Sequence, residues 1–406
     1  MLNHPDHITA REILLEAAAP VEAELLDLSQ SGGRILAQDL TAAENIPAFD
    51  RSPYDGYAFR AVDTITATRE QPVTLRVLEE IPAGAVPTLP ITEGTASKIL
   101  TGAPIPEGAD AVVKFEDTIF TADTVTLFAP AKSGQNIVRT GEDVWKGKTL
   151  AYRGDIIDPG LAGTLASQGI ATPAVYRRPK AGILSTGSEL VEVSDPLGPG
   201  PGKIYNANRH TLETALNRLG YDCMYLGTAG DCVEDICALI QRGLAGCDVV
   251  VSTGGVSVGN YDLTPAAMEQ AGVTLLFRGV DMKPGMACAY GSCGGKLVCA
   301  LSGNPASALI NFYAVALPAL RKIAGYRDPI PQAIQVTLAD RFGKKSPKLR
   351  FLRGTLVLKD GAVRMTLPAD QGNVILSSTI RCNVMAIVPA GSGPVEAGAV
   401  LEGWLL

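Results

Sequence analysis

The sequence predicts a multidomain fold of α/β plus β class: a central α/β domain on a parallel sheet, a β-rich insert domain, a discontinuous N-terminal domain and a C-terminal β-barrel. Three observations lead there. Between residues 179 and 325, strand-like apolar runs alternate with amphipathic helical runs, as in a parallel sheet crossed by helices. From 41 to 146 the runs are short and alternating, separated by Pro and Gly clusters, which reads as mostly β. After Pro329 and Pro331, short alternating runs return in 332–406 and fit a small barrel or sandwich.

Taken in order, ILLEAAAPVEAELLDL predicts a helix within 1–28, broken by Pro20, and GRILAQDL (33–40) a strand. VTLRVLEEI (73–81) and TVTLF (124–128) are strands of the insert. GDIIDPGLAGTLASQGI predicts a helix that packs back on the first one, so that 1–46 and 147–178 form one domain around the β-rich domain 47–146. The α/β domain, 179–326, has strands AGILS (181–185), MYLGTAG (224–230), CDVVVS (247–252) and KLVCAL (296–301), with helices over 210–220, 235–246 and 305–325. AIQVTLA, FLRGTLVL, AVRMTLP and VMAIVPA supply the strands of the last domain, 327–406.

Composition excludes several functions. A net charge of -7 has the wrong sign for a general nucleic-acid binder. No apolar run reaches the ~20 residues of a membrane helix, since the longest candidate contains Asn311 and Pro318. MLNHPDHITARE shows no secretory signal, so the cytoplasm is expected. There are 8 Cys and 3 His (His4, His7, His210) and no C-x-x-C, which disfavours structural zinc and Ser-His-Asp or Cys-His catalysis. Seven of the eight cysteines fall between 223 and 299 in apolar contexts and read as core thiols of a reducing compartment.

Ligands of an open α/β sheet bind beyond the carboxyl ends of its strands. Four loops there look alike: STGSE (185–189), TAGD (228–231), STGGVSVGNYD (252–262) and SGNP (302–305). Their small residues, Ser185, Thr186, Gly187, Gly254, Gly255, Ser257, Gly259, Ser302, Gly303 and Asn304, let backbone N–H groups approach an anion. Neither a Walker A sequence nor GxGxxG is present. Thr264 is placed to cap the helix that Pro265 begins. The loops also carry Glu189, Asp231 and Asp262. Two carboxylates ~4 Å apart repel by roughly 4 kcal/mol at an effective dielectric of 20, so acids beside a phosphate imply a cation, with magnesium the natural one. Helix caps or solvated loop ends are the plainer reading of each acid taken singly. Lys283 sits in MKPGMA, and LRFLRG places Arg350 and Arg353 on opposite strand faces, so at most one of them points at a given site.

PAFDRSPYDGYAFR (47–60), LTGAPIPEGADAVV (100–113), TGEDVWKG (140–147), STGSEL, STGGVSVGNYD, MKPG and LSGNPAS together resemble the molybdopterin molybdenumtransferases, the MoeA type to which the gephyrin E domain also belongs. The resemblance runs in order from about residue 10 to the end. It implies a cytoplasmic homodimer of four-domain chains, with an α/β domain of molybdopterin-binding type, that inserts molybdate into adenylylated molybdopterin, releasing AMP with Mg2+ and forming molybdenum cofactor. It further implies that Glu189 and Asp262 hold metal and that Asp231 acts with them. Asp55, Thr101 and Asp143 would face the partner subunit's site, and Lys283 and Arg353 would hold molybdate. Two departures stand out: Gly279 where a second lysine is common before the KPG motif, and Asn373 where a serine commonly follows Gln-Gly in the last domain. An Asn373 amide can still donate to an oxyanion. Expected partners are small-molecule substrates, the molybdopterin adenylyltransferase and molybdoenzyme apoproteins, with no nucleic acid and no membrane. Two other readings share this fold: a non-catalytic molybdopterin-binding scaffold, and the adenylyltransferase itself.

Overall fold

The computed structural model describes residues 2–256, 263–359 and 361–406. The chain folds as two compact units, Met1–Gln38 with Arg153–Asp158 and Thr172–Leu406 in the first, and Asp39–Tyr152 with Pro159–Ala171 in the second. The helix Pro159–Ser167 belongs to the second unit, whereas residues 1–38 and 172–178 belong to the first.

The first unit is built on a seven-stranded sheet. In chain order the elements that bear on the site are β1 (Leu2–Asn3), α1 (His7–Ala17), β2 (Lys180–Thr186), α2 (Ala207–Arg218), β3 (Asp222–Ala229), α3 (Val233–Gly246), β4 (Val249–Thr253), α4 (Thr264–Gln270), β5 (Thr274–Arg278), β6 (Met282–Lys283), β7 (Cys288–Cys293) and β8 (Lys296–Leu301). The sheet order is β1-β5-β7-β8-β4-β2-β3. Strands β3, β2, β4 and β8 run parallel, but β7 runs antiparallel to both of its neighbours, so the expected parallel sheet is mixed. The reversal comes from Gly294 and Gly295, whose φ of 56° and 78° make a two-residue hairpin between Cys293 and Lys296. Buried on both faces, β2 and β4 are continuous apolar or small runs rather than alternating ones.

Asp6 caps α1, accepting from the N–H groups of Ile8 and Thr9 at 2.9 and 3.1 Å. The helix stops at Ala17, short of the expected Leu28, because Pro20 cannot continue it; Ala23–Leu25 instead pairs with Ala174–Tyr176. Of the strand expected over 33–40, only bridges at Ile35 and Leu36 and the strand Leu40–Thr41 form. Leu14 and Ala10 join a core with Phe312, Leu320, Phe351 and Trp404, so α1 knits the sheet's helices to the C-terminal strands. The helical run predicted at 305–325 is α5 (Pro305–Asn311), a π turn over Phe312–Ala316 and α6 (Leu317–Ile323). Pro318 lacks the N–H that a regular helix would need, which accounts for the widened turn before it.

The last segment contributes β9 (Ile334–Thr337), β10 (Leu349–Lys359), β11 (Ala362–Thr366), β12 (Val384–Val388) and β13 (Val400–Leu405), ordered β6-β10-β12-β13-β9 with β11 paired to β10. Strand β6 thereby ties the α/β part to the C-terminal part and sets Lys283 opposite Arg350.

The second unit has its own six-stranded sheet around Tyr57, Phe59, Leu75 and Val125. The VTLRVLEEI strand lies at Val73–Ile81, as its alternation predicts. Among the described residues, no helix is long and apolar enough to cross a membrane.

Candidate active site

At the carboxyl ends of β2, β4 and β8 the chain turns through Thr186–Glu189, Gly254–Gly255 and Ser302–Asn304, and a cleft of about 640 Å³ opens among these turns. Asp231, beyond β3, and Asn206 and Asn208, at the start of α2, complete one side, and Val374 of the C-terminal segment borders the cleft. Sequence reasoning started α2 at His210 and so missed Asn206, the actual cap, whose side chain accepts from the Arg209 N–H at 3.2 Å. An Asn before a periodic apolar run was the available signal.

The glycines are required by close approach. A Cβ on Gly254 (φ 96°) would lie 2.5 Å from the Thr186 carbonyl oxygen, and one on Gly255 (φ 65°) would lie 2.5 Å from Thr264 Oγ1. Thr264 is not the cap expected of it; Leu263 occupies that position, and the Thr264 hydroxyl donates to the Gly254 carbonyl at 3.0 Å. The Gly187 N–H donates to Ala229 O at 3.1 Å and the Gly254 N–H to Leu301 O at 3.0 Å, so both hold neighbouring loops together and are not free for an anion. Among the described residues, the N–H groups of Gly255 and Gly303 have no acceptor. The Asn304 N–H is taken by Ser302 Oγ at 3.2 Å. Ser185, expected to face the ligand, is fully buried behind the cleft, where its hydroxyl meets the Asn206 amide at 3.0 to 3.2 Å. Ser257, Gly259 and Asp262 lie outside the described residues.

Glu189 and Asp231 are both exposed and line the cleft. Neither carboxylate has a hydrogen bond or ion pair among the described residues. Among the described residues, the lining contains no lysine or arginine.

The cations lie elsewhere in the unit. Lys283 is exposed without a partner among the described residues, and its strand neighbour Arg350 uses only Nε, on Ser346 Oγ at 3.1 Å. Arg353 corrects the expectation. Its side chain is 1% exposed, with Nε donating to Ser378 Oγ at 2.8 Å and Nη2 to Gly372 O at 2.9 Å and again to Ser378. With Nη1 also directed at Gln371 O at 3.4 Å, its guanidinium pins the 371–378 turn through four of its five N–H groups. Alternation does separate the two arginines; the register sets Arg350 opposite Lys283, whereas the resemblance implies Arg353, which β10 packs under that turn. Through the same turn the Asn373 carbonyl meets the Ser307 N–H at 3.3 Å, while the Asn373 side chain is exposed and outside the cleft lining.

In the second unit, Asp55 and Thr101 come together: one carboxylate oxygen accepts from the Thr101 N–H at 2.6 Å and from its hydroxyl at 2.8 Å. Those bonds hold Asp55 below the usual carboxylate range. Asp143 is exposed in the same unit, with no hydrogen bond to the pair.

Family profiles match the chain in three consecutive parts: the MoeA N-terminal region (domains I and II) over 7–169, a probable molybdopterin binding domain over 182–322, and the MoeA C-terminal region (domain IV) over 335–406. A molybdopterin molybdenumtransferase of Bacillus subtilis is 37% identical over 385 residues, covering 94% of this chain and 89% of its own. The chain belongs to the MoeA family. A Staphylococcus aureus molybdopterin molybdenumtransferase is 34% identical across 92% of the chain and 89% of its own. A crystal structure of the MoeA protein of Pyrococcus horikoshii superposes with a TM-score of 0.85 at 31% identity, covering 99% of this chain and all of that one. This MoeA protein is accordingly a molybdotransferase of molybdenum cofactor biosynthesis, and its multidomain α/β plus β fold is that of its relatives.

Proposed function

We propose that the chain inserts molybdate into adenylylated molybdopterin, releasing AMP, as a cytoplasmic homodimer that uses Mg2+. The observation that carries this reading is the cleft itself, ringed by glycine and serine turns yet lined, among the described residues, by two acids without partners and by no base. A phosphate-bearing ligand fits such a wall only with a cation between, and two carboxylates plus ligand phosphates are the donor set magnesium prefers. Glu189 and Asp231, with Asp262 of the adjoining loop, would hold that ion, which when bound neutralises charge on the departing phosphate. The N–H groups of Gly255 and Gly303, without an acceptor among the described residues, bind phosphate oxygens, and the apolar surface of Ile204 and Val374 covers the ligand's rings. Lys283 and Arg350 offer two adjacent cations to molybdate, a dianion. Tungstate, alike in size and charge, competes for the same pair. Asp55, Thr101 and Asp143 reach the cleft of a second copy of the chain. The eight cysteines, all free, fit a reducing compartment. Upstream, the molybdopterin adenylyltransferase supplies the substrate; downstream, molybdoenzyme apoproteins accept the product.

The test is reconstitution from purified chain, adenylylated molybdopterin, molybdate and Mg2+, reading AMP release and cofactor formation. Turnover dependent on molybdate is expected, and its absence overturns the reading. Mixing Asp55→Ala and Glu189→Ala chains tests the shared site: recovered turnover is expected, and none in a verified heterodimer excludes it.

A further inference from the structure

Beneath the cleft lies a polar cluster that the reading above does not use. Glu192 follows the STGSEL turn, and four side chains from two other elements surround its carboxylate. Oε1 accepts from Tyr225 OH at 2.7 Å, Asn206 Nδ2 at 3.0 Å and Thr228 Oγ1 at 3.3 Å, while Oε2 accepts from Arg209 Nη1 at 2.5 Å. The Arg209 guanidinium also stacks 3.8 Å from the centre of the Tyr225 ring. Tyr225 and Thr228 belong to β3, Asn206 caps α2, and Arg209 sits in its first turn. One carboxylate thus joins the turn after β2, the start of α2 and the end of β3.

We propose that Glu192 is a positioning residue that holds the substrate cleft in its binding-competent arrangement. Glu189 lies three residues before Glu192, and Asp231 lies three residues after Thr228. The carboxylate therefore fixes the spacing of the two acids that line the cleft, and its bond to Asn206 fixes the wall that carries Asn208. Tyr225, Asn206 and Arg209 donate to it while the Thr228 hydroxyl, 2.5 Å from Tyr225 OH, supports the tyrosine, so acceptors are needed on both carboxylate oxygens. An amide at this position turns an N–H toward either Arg209 or Tyr225, and the loops separate. Loop arrangements that cannot bind then compete with the one that can, and apparent affinity falls by the fraction lost. Glu192 touches neither substrate nor reacting atoms, so the effect falls on KM more than on kcat. The inference rests on the molybdotransferase reading of the cleft.

The test compares Glu192→Gln, Tyr225→Phe and their double variant with the Glu213→Gln control, whose carboxylate is 4.0 Å from Arg209 Nε and outside the cluster. The readouts are KM and kcat for adenylylated molybdopterin, and calorimetric binding of AMP with Mg2+. Glu192→Gln is expected to raise KM and the AMP Kd about tenfold, with kcat changed less than threefold, as for a competent fraction near one tenth. Tyr225→Phe shifts both constants in the same direction by less, and the double variant falls short of the summed effects because the two act through one carboxylate. Glu213→Gln keeps wild-type constants. An unchanged KM and Kd in folded Glu192→Gln, or additivity in the double variant, overturns the proposal; a lowered thermal midpoint with unchanged constants does so too. If Glu192→Gln does not fold, Tyr225→Phe decides, and wild-type constants there overturn it. Should wild type bind AMP and Mg2+ yet release none from the substrate, the transfer reading fails while the AMP comparison still tests Glu192. If wild type binds neither, both fall.

Discussion

Acid should loosen the joint between α1 and the C-terminal strands, and His7 sets the pH at which it does so. The His7 ring is 8% exposed and packs edge-on against Phe351, with ring centres 5.4 Å apart. Burial, aided by the Arg11 charge one turn along and opposed by Asp6, pushes its pKa down from 6.5 to about 4. The folded state therefore prefers the neutral ring, and between those values the unfolded chain binds more protons. Stability is complete above pH 6.5, falls as the pH drops, and loses nothing further from this group below about pH 4. The full difference is ~3 kcal/mol, of which ~2 kcal/mol is lost between pH 7 and 4.5. Trp404 is 4% exposed, lies 5.6 Å from Phe351 ring to ring, and reports on this joint by fluorescence once Trp145 of the second unit is replaced by Phe. Urea unfolding followed in that background should show the loss, and His7→Leu should remove most of it. The same pH dependence in wild type and His7→Leu would refute the assignment of the acid sensitivity to His7.

Gly254→Ala combines a positive φ with a collision against the Thr186 backbone and should cost ~3 kcal/mol or more in stability, with loss of AMP binding measured by calorimetry. Arg350→Ala should raise the molybdate concentration for half-maximal turnover about tenfold and lower stability by only ~1 to 2 kcal/mol, since the buried side chain makes one hydrogen bond, to Ser346, and stacks on Phe342. Arg353→Ala should instead destabilise the chain by ~3 kcal/mol or more, because it strips partners from Ser378 and the 371–372 carbonyls; urea curves and molybdate titrations of the two variants separate these outcomes. Burial pushes the Cys223, Cys288 and Cys299 thiols up to about 12, so mass spectrometry after iodoacetamide at pH 8 should find them unmodified in native protein and modified after denaturation.

Much of this architecture is legible in the sequence where burial dictates period. KLVCAL and CDVVVS are apolar without alternation because both faces of β8 and β4 are covered, while VTLRVLEEI alternates because one face is wet. Legibility failed where a local signal competed with a larger pattern. Expecting a parallel sheet obscured the Gly294-Gly295 hairpin, and helical periodicity beyond Pro20 masked a strand that only its partner at Ala174–Tyr176 could reveal. Of the site, the glycine turns and the acids Glu189 and Asp231 could be found as residue types at strand ends. Arg353 could not, since what consumes its guanidinium is a turn some twenty residues further on. The Glu192 cluster was equally hidden, because its donors come from two other elements, the start of α2 and the end of β3.

The charge on the cleft's walls sets the sign of one last expectation. With two carboxylates, no base, and two of the glycine N–H groups committed to holding loops, the described lining repels an anion more than it attracts one. At ~6 Å and an effective dielectric of 20, each carboxylate opposes each phosphate charge by ~3 kcal/mol, more than two backbone hydrogen bonds return at ~1 kcal/mol apiece. Binding of AMP must therefore depend on a cation, and chelation should abolish it in calorimetry. The sharper consequence is a reversal. In the presence of Mg2+, Glu189→Gln and Asp231→Asn weaken AMP binding by removing ion ligands, whereas with EDTA the same variants bind AMP more tightly than wild type by removing repulsion. Wild type binding AMP equally with and without Mg2+ would show that the two acids do not govern the ligand, and a variant weakened in both conditions would mean that its side chain maintains the loop rather than the charge.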